Sequence, residues 1–331
     1  IYCIYDIQSV LMPTQILGEN YQKKSNFGIF IDNEEIRYSK EYLFNSTGEH
    51  NITFALTEDI NMDYMFQNIL VLNNIEIYSK KGFKINSMIS TFENCENLKE
   101  FKITGVDTSS VKSMHNLFKN IHTYNPNIDL SGLNTNNVED MSYMFSSIKI
   151  ESIDLSNLIT SNVKNMSGIL ANCSSLQSLK LSNFDTSNVE DMSYMFSHCE
   201  SLFTLDLNNL KTNKVIDMSH MFQECISLSE IIIDNFDTSQ VTDMSSMFDN
   251  CCSLTSINLG KFNTKNVKNM SSMFNFCSNL ISIDISNFDT SSVTNFSKMF
   301  YMMRSLSSID LKNFNTKSAK DTSFMFYHCI A

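Results

Sequence analysis

The stretch LFTLDLNNLKTNKVIDMSHMFQEC, residues 202–225, joins two segments of different hydrophobic period. In the first, Leu202, Leu205 and Leu207 follow an L-x-x-L-x-L pattern. Alternate side chains of a strand leave opposite faces, so Leu205 and Leu207 point inward while Thr204, Asp206 and Asn208 point outward. In the second, Val215, Met218, Met221, Phe222 and Cys225 fall at i, i+3, i+6, i+7 and i+10. That is one stripe of a helix, and it predicts about two helical turns.

The same register recurs along the chain. Met192, Met218, Met244 and Met270 are 26 residues apart, with Phe296 and Thr322 in the next two slots and Met166, Met141, Met114, Met88 and Met62 behind them. One step of 25 residues and one of 27 are the only departures, as expected of single-residue indels in surface turns. A fixed period of this length means a solenoid whose units bury their apolar faces against their neighbours. L-x-x-L-x-L at this period falls in the leucine-rich-repeat class. The expectation is therefore an α/β, right-handed, leucine-rich-repeat-like solenoid with one parallel strand and one short helix per unit. It would span residues 58–331 as about 10–11 units.

Column by column, the repeat reads as architecture. An aromatic column runs through Phe66, Phe92, Phe118, Phe145, Phe196, Phe222, Phe248, Phe274, Phe300 and Phe326, with Leu170 in one slot. Stacked rings would form an internal spine, each burial being worth roughly 1.5–3 kcal/mol. Thr occupies one slot from Thr108 to Thr316 without interruption, and Ser follows the Met column from Ser142 to Ser323. The Thr hydroxyl suits backbone N–H groups left open at a turn or cap. Hydroxyls that repeat identically do not make the unique constellation an active site needs, so no enzyme and no cofactor is expected.

Cys95, Cys173, Cys199, Cys225, Cys251, Cys277 and Cys329 share a column with Ile69, Ile121, Ile148 and Met303. Exchange with Ile or Met marks an apolar slot, which favours buried thiols. Pairing between adjacent coils stays open, because neighbouring strands about 4.8 Å apart are within disulfide reach. No C-x-x-C pair supports zinc. Sequons occur at Asn45, Asn51, Asn165, Asn172, Asn269 and Asn295. Those at Asn165, Asn269 and Asn295 share a column with Asp140, Asp191, Asp217, Asp243 and Asp321, so they follow from Asp/Asn exchange. Asn45 and Asn51, outside the array, are the candidate acceptors. The 6 His are expected at the surface or rim, with no nucleophile–base pair.

Residues 1–57 lie outside the repeat and carry strand-like runs at Ile1–Ile7, Phe27–Ile31 and Asn51–Leu56. A small β-rich cap is expected there, since a solenoid exposes its core at each end. At the other end the chain stops in mid-unit, so the native protein is expected to continue.

Composition is that of an ordered chain: 42 % hydrophobic, 11 % aromatic, with only 2 Pro and 8 Gly. No run of about 18 apolar residues suits a membrane span. A net charge of −12 without clustered Lys or Arg argues against nucleic acid.

The units LSNFDTSNVEDMSYMF (181–196) and FDTSQVTDMSSMF (236–248) resemble the BspA-like leucine-rich-repeat surface proteins, over about residues 60–331. STGEHNITF (46–54) is similar to the short β module that precedes the repeats in some of them. The resemblance implies a cell-surface or secreted protein that binds host or matrix proteins, or neighbouring cells, and it carries over no catalytic residues.

The expected function is adhesion or protein–protein interaction, through many weak contacts along one stacked strand face. The candidate contact residues are Asp129, Asp154, Asp206, Asp284 and Asp310, in a column shared with Lys102, Lys180, Ile232 and Asn258. Such a row favours a basic protein segment or a divalent cation and opposes DNA or an anionic membrane, and no direct membrane insertion of this segment is expected. Its bland alternative is a solvated face that keeps the sheet soluble. A structural spacer holding another domain is the alternative function.

Overall fold

The computed structural model describes residues 1–23, 26–80 and 82–329. It divides into two compact units, Ile1–Ile150 with Asn157–Thr160, and Glu151–Ser156 with Ser161–Ala331.

The first unit begins with β1 (Tyr2–Ile7), β2 (Thr14–Gln15), β3 (Phe27–Ile31), β4 (Glu34–Ile36), β5 (Glu41–Tyr42) and β6 (Gly48–Leu56). Coils follow with β7 (Ile60–Asn61), β8 (Leu72–Tyr78), β9 (Ile85–Ser87), β10 (Glu100–Thr104) and β11 (Asn127–Ile128). Seven of these strands make one sheet in the order β11-β10-β8-β1-β6-β3-β4. β8, β10 and β11 are parallel, as a solenoid requires, whereas β1 pairs antiparallel with both β8 and β6. A stack of parallel coils leaves its first strand with an open edge, and β1 covers it. Cys3, Tyr5 and Ile7 of β1 face inward, as do His50, Ile52 and Phe54 of β6. His50, expected at the surface, is thus buried.

Among the described residues there is no helix, and the expected short helix in each unit is corrected to a run of tight turns. In the coil around Met192, Met195 N donates to Met192 O (3.3 Å), Ser197 N to Tyr194 O (3.0 Å) and Cys199 N to Phe196 O (3.1 Å). Tyr194 and His198 have φ of 57°, which places left-handed residues at the third position of the first and last of these turns. Alternate N–H groups leave the coil. Met192, Tyr194, Phe196 and His198 donate to the carbonyls of Asp217, Ser219, Met221 and Gln223 in the next coil, at 2.7–3.0 Å. A helix spends its N–H groups within itself, whereas here alternate ones build a ladder. Two turns whose left-handed residues lie four apart bring Met192, Met195, Phe196 and Cys199 inward at the spacing of a helical stripe, so the periodicity is shared. One signal did separate them. The second left-handed slot holds Asn68, Asn94, Asn120, Asn172 and Asn250, and Asn tolerates this conformation better than most residues.

The Asp or Asn before each Met closes the turn. The backbone N–H groups of Ser193, Ser219, Ser245, Ser271 and Ser297 donate to Asp191, Asp217, Asp243, Asn269 and Asn295 at 2.8–3.1 Å. The same column is a parallel ladder in the second unit, from Asn165 through Asp191, Asp217, Asp243, Asn269 and Asn295 to Asp321. The Thr column joins coils rather than capping its own turn. Thr212 Oγ1 accepts from Asp237 N at 2.7 Å and donates to Asp237 O at 3.0 Å.

The second unit holds β12 (Ser152–Asp154) paired with β13 (Ser178–Lys180), and β14 (Thr204–Asp206) paired with β15 (Glu230–Ile232). One strand in every coil is not what forms. Among the described residues, the segments around Ile257, Ile283 and Ile309 join no ladder, though Ile281 N donates to Thr255 O (3.3 Å) and Ser307 N to Ile281 O (3.4 Å) just before them.

The Phe column is a stack of rings in each unit. Phe66, Phe92, Phe118 and Phe145 follow one another at 5.5–5.7 Å with interplanar angles of 5–13°. Phe196, Phe222, Phe248, Phe274 and Phe300 do so at 5.5–5.9 Å. Phe54 of β6 meets Phe66 edge-on at 5.5 Å, so the terminal strands and the coils of the first unit share one core.

Candidate interaction surface

Each carboxylate of the outward row caps the turn after its strand position. Asp129, Asp154, Asp206, Asp284 and Asp310 accept the backbone N–H of Ser131, Ser156, Asn208, Ser286 and Lys312 at 2.9–3.0 Å. Hydrogen bonds from the Ser131 and Ser286 side chains, and then from their N–H groups, hold the Asp129 and Asp284 carboxyls below the usual carboxylate range, and the Ser156 and Lys312 N–H groups do so first for Asp154 and Asp310. Asp129 is half-buried and belongs to the first unit, while the other four are exposed and belong to the second. Within the second unit the row is broken by its own cations. Lys180 Nζ lies 3.5 Å from Asp154 and Lys312 Nζ lies 3.0 Å from Asp310. Asp206 and Asp284 are therefore the carboxylates of this row most available to a partner.

Asp206 also borders an opening that the column pattern does not announce. β13 pairs with β12 and β14 with β15, but no ladder joins β13 to β14 among the described residues. The turn side stays laddered through Asn165, Asp191 and Asp217. Side chains pin both ends of the gap: Ser201 Oγ donates to Ser174 O (2.6 Å), and Asn209 Nδ2 donates to Leu181 O (2.9 Å). Between the pins lies a cavity of about 420 Å³, with Leu179, Leu181, Leu202 and Leu205 lining it below Lys180 and Asp206. That volume is in the range of small-ligand sites. Leu179 and Leu205 obey the column rule like their neighbours, so no residue type marks the gap.

The other candidate chemistries resolve into structure. All nine thiols are free, and burial pushes the Cys199 and Cys251 thiols well above their ordinary value. Among the described residues no group of three or more His, Cys, Asp or Glu could hold a metal ion. Ser46, His50 and Asp32 also lie together, outside the repeat. His50 Nδ1 lies 2.6 Å from Asp32 Oδ2, and Nε2 lies 3.0 Å from the Ser46 carbonyl as well as 3.2 Å from its hydroxyl. Nε2 thus lies nearer the Ser46 carbonyl than the Ser46 hydroxyl, and the ring is held between the Asp32 carboxylate and the Ser46 residue. The group ties the β3–β4 turn to β6. Asn45 and Asn51 are exposed. Among the described residues no helix is long and apolar enough to cross a membrane.

Comparison with curated proteins finds no match. Two solved structures are similar in part. A leucine-rich repeat protein from Bacteroides ovatus ATCC 8483 is 19 % identical, over 87 % of this chain and 83 % of that one, with a TM-score of 0.42. A leucine-rich repeat protein from Eubacterium ventriosum ATCC 27560 is 15 % identical, over 85 % of this chain and 91 % of that one, with a TM-score of 0.37. One family model matches three overlapping stretches, residues 60–178, 147–254 and 227–331, which together take in every coil. The chain therefore belongs to the repeat family described as Mycoplasma protein of unknown function, DUF285.

Proposed function

We propose that this protein is a non-enzymatic interaction scaffold, displayed at a cell surface or secreted, that binds an extended basic segment of a partner protein along the outward strand row of its second unit. Host proteins, matrix proteins and proteins of neighbouring cells are the partner class. The placement rests on the resemblance to BspA-like surface proteins. What carries the contact itself is the pinned opening between β13 and β14, where an apolar floor of leucines meets the Asp206 carboxylate. A segment alternating apolar and cationic side chains would seat one apolar group in the opening and place a cation on Asp206, with Asp284 as a second anchor. A stiff repeat face limits the entropy lost in such binding.

Fluorescence polarisation with a labelled decapeptide alternating Lys and Val, against one alternating Glu and Val, tests this reading. The Lys peptide should bind, weaken as salt rises, and lose most of its affinity to Asp206→Lys with Asp284→Lys. Equal binding of both peptides, or binding indifferent to the double reversal, would remove the strand row from the function.

A further inference from the structure

One place in the first unit breaks the repeat with a constellation found in no other coil. Antiparallel pairing sets Tyr2 of β1 opposite Glu76 of β8 and opposite Thr53 of β6. Tyr78 follows Glu76 by two positions, so it leaves the same face of the strand. These four side chains line one cavity of about 440 Å³ on the uncovered face of the seven-stranded sheet. Glu76 heads the outward column that continues as Lys102 and Asp129, but those coils hold Thr104 and Ser131 where this one holds Tyr78. Tyr2 comes from outside the repeat altogether. Two tyrosines therefore flank one carboxylate at a single position in the chain, and a binding site needs such uniqueness.

The geometry favours a cation. Tyr2 Oη donates to Asn51 Oδ1, which holds its ring in place, while Tyr78 is 52 % exposed. Both tyrosines line the one cavity. Glu100 on β10 already accepts from Asn74 Nδ2 at 3.0 Å. Glu76 has no comparable bond, and no described Lys, Arg or His nitrogen lies within 4.0 Å of it. Aromatic faces beside a carboxylate attract an alkylammonium group, through the ring quadrupoles and the full negative charge together. The space continues on both sides. Tyr2 and Glu76 also line a cavity of about 180 Å³ with Ile4, Asn74 and Lys102, and Thr53 and Tyr78 line one of about 370 Å³ with Leu56 and Phe83. A ligand that is one residue of a longer chain has room to extend either way.

We propose that the Tyr2–Glu76–Tyr78 cavity is a binding site for a lysine side chain of a partner protein, its ammonium held between the two rings and against the Glu76 carboxylate. This site does not rest on the strand row of the second unit and can stand or fall alone.

The test uses the full chain carrying ring-¹³C tyrosine, with the Tyr2 and Tyr78 signals assigned through Tyr→Phe variants. The probes are Nα-acetyl-lysine methylamide, its uncharged analogue Nα-acetyl-norleucine methylamide, and choline. The lysine probe should move the Tyr2 and Tyr78 signals selectively, and norleucine should bind about tenfold more weakly. Glu76→Gln and Tyr78→Ala should each weaken lysine binding by about fivefold or more, while Tyr78→Phe, which keeps the ring face, should not. Both positions point outward, and unchanged thermal melts would confirm that these variants fold. Norleucine binding as well as lysine would make the cavity an apolar hollow and overturn the proposal. So would unmoved Tyr2 and Tyr78 signals, or an unaffected Glu76→Gln. Choline binding there without lysine would overturn the choice of a protein partner.

Discussion

The Cys225 thiol sits 3.1 Å from the carbonyl oxygen of Phe196, one coil earlier, and that same oxygen accepts the N–H of Cys199 at 3.1 Å. The contact repeats from Cys199 to Leu170, Cys251 to Phe222 and Cys277 to Phe248. Each thiol thus reaches the carbonyl of a buried residue one coil earlier, which is a Phe in three cases and Leu170 in the fourth. Burial pushes the Cys225 thiol up to about 12.

Thiolate, not thiol, reacts with alkylating agents, so the column should be inert in the folded chain. Cys199, Cys225, Cys251 and Cys277 are expected to resist iodoacetamide until denaturant is added, while the half-exposed Cys252 labels first. Mass spectrometry of labelled peptides checks the order. Early labelling of the column would mean that the coils open locally.

Phe248 is fully buried between Phe222 and Phe274, at 5.5 and 5.7 Å. Phe248→Ala should cost about 3–5 kcal/mol through the cavity it leaves. Gln240, exposed in the preceding turn, is the control, and Gln240→Ala should be close to neutral. Chemical denaturation of the two variants decides, and equal small shifts would place the ring outside the core.

Lys298 is exposed and has φ of 56°. In a helix Lys298→Gly would cost about 1 kcal/mol. In a left-handed turn position glycine is unstrained, so the same change should be neutral or stabilising, while Lys298→Val should destabilise. Thermal melts of the pair separate tandem turns from a helix.

Asp249 is pushed up to about 6, first by burial and then by Glu224 beside it, against the hydrogen bond from Asn275. A carboxyl raised in the fold above its ordinary 3.8 destabilises the fold above its folded value. As pH falls from 7 through about 6 toward 4 the folded chain takes up the proton first, and this penalty disappears. Below the ordinary value both states are protonated and nothing more is gained. Asp249→Asn should therefore raise the melting temperature at pH 7 and match the parent near pH 4. The lowered carboxyls of Asp129 and Asp284 act the other way, contributing above the ordinary value and losing their contribution as pH falls through their folded values. Parallel melting curves for parent and variant across this range would mean that Asp249 is solvated.

By itself the sequence determines what repeats. A column filled by Phe in coil after coil marks a shared interior, and Leu205 with Leu207 against Thr204 and Asp206 marks an alternating extended segment, though not which such segments pair as strands. The Asp/Asn-Met-Ser column was legible as architecture for the same reason. The backbone path between such columns was not. Spacings of three and four fit a helix and fit paired turns, and the choice lies in where the N–H groups of Met192 and Phe196 go, which is to another coil. The carboxylates of the outward row were identifiable, but not that Lys180 and Lys312 occupy two of them while Asp206 borders an opening, because side chains of identical pattern pack differently when a ladder parts. Tyr2 and Glu76 carry no mark of each other in sequence. Only the antiparallel pairing of β1 with β8 sets them side by side, since a contact between distant segments is decided by which edges of the sheet remain to be covered.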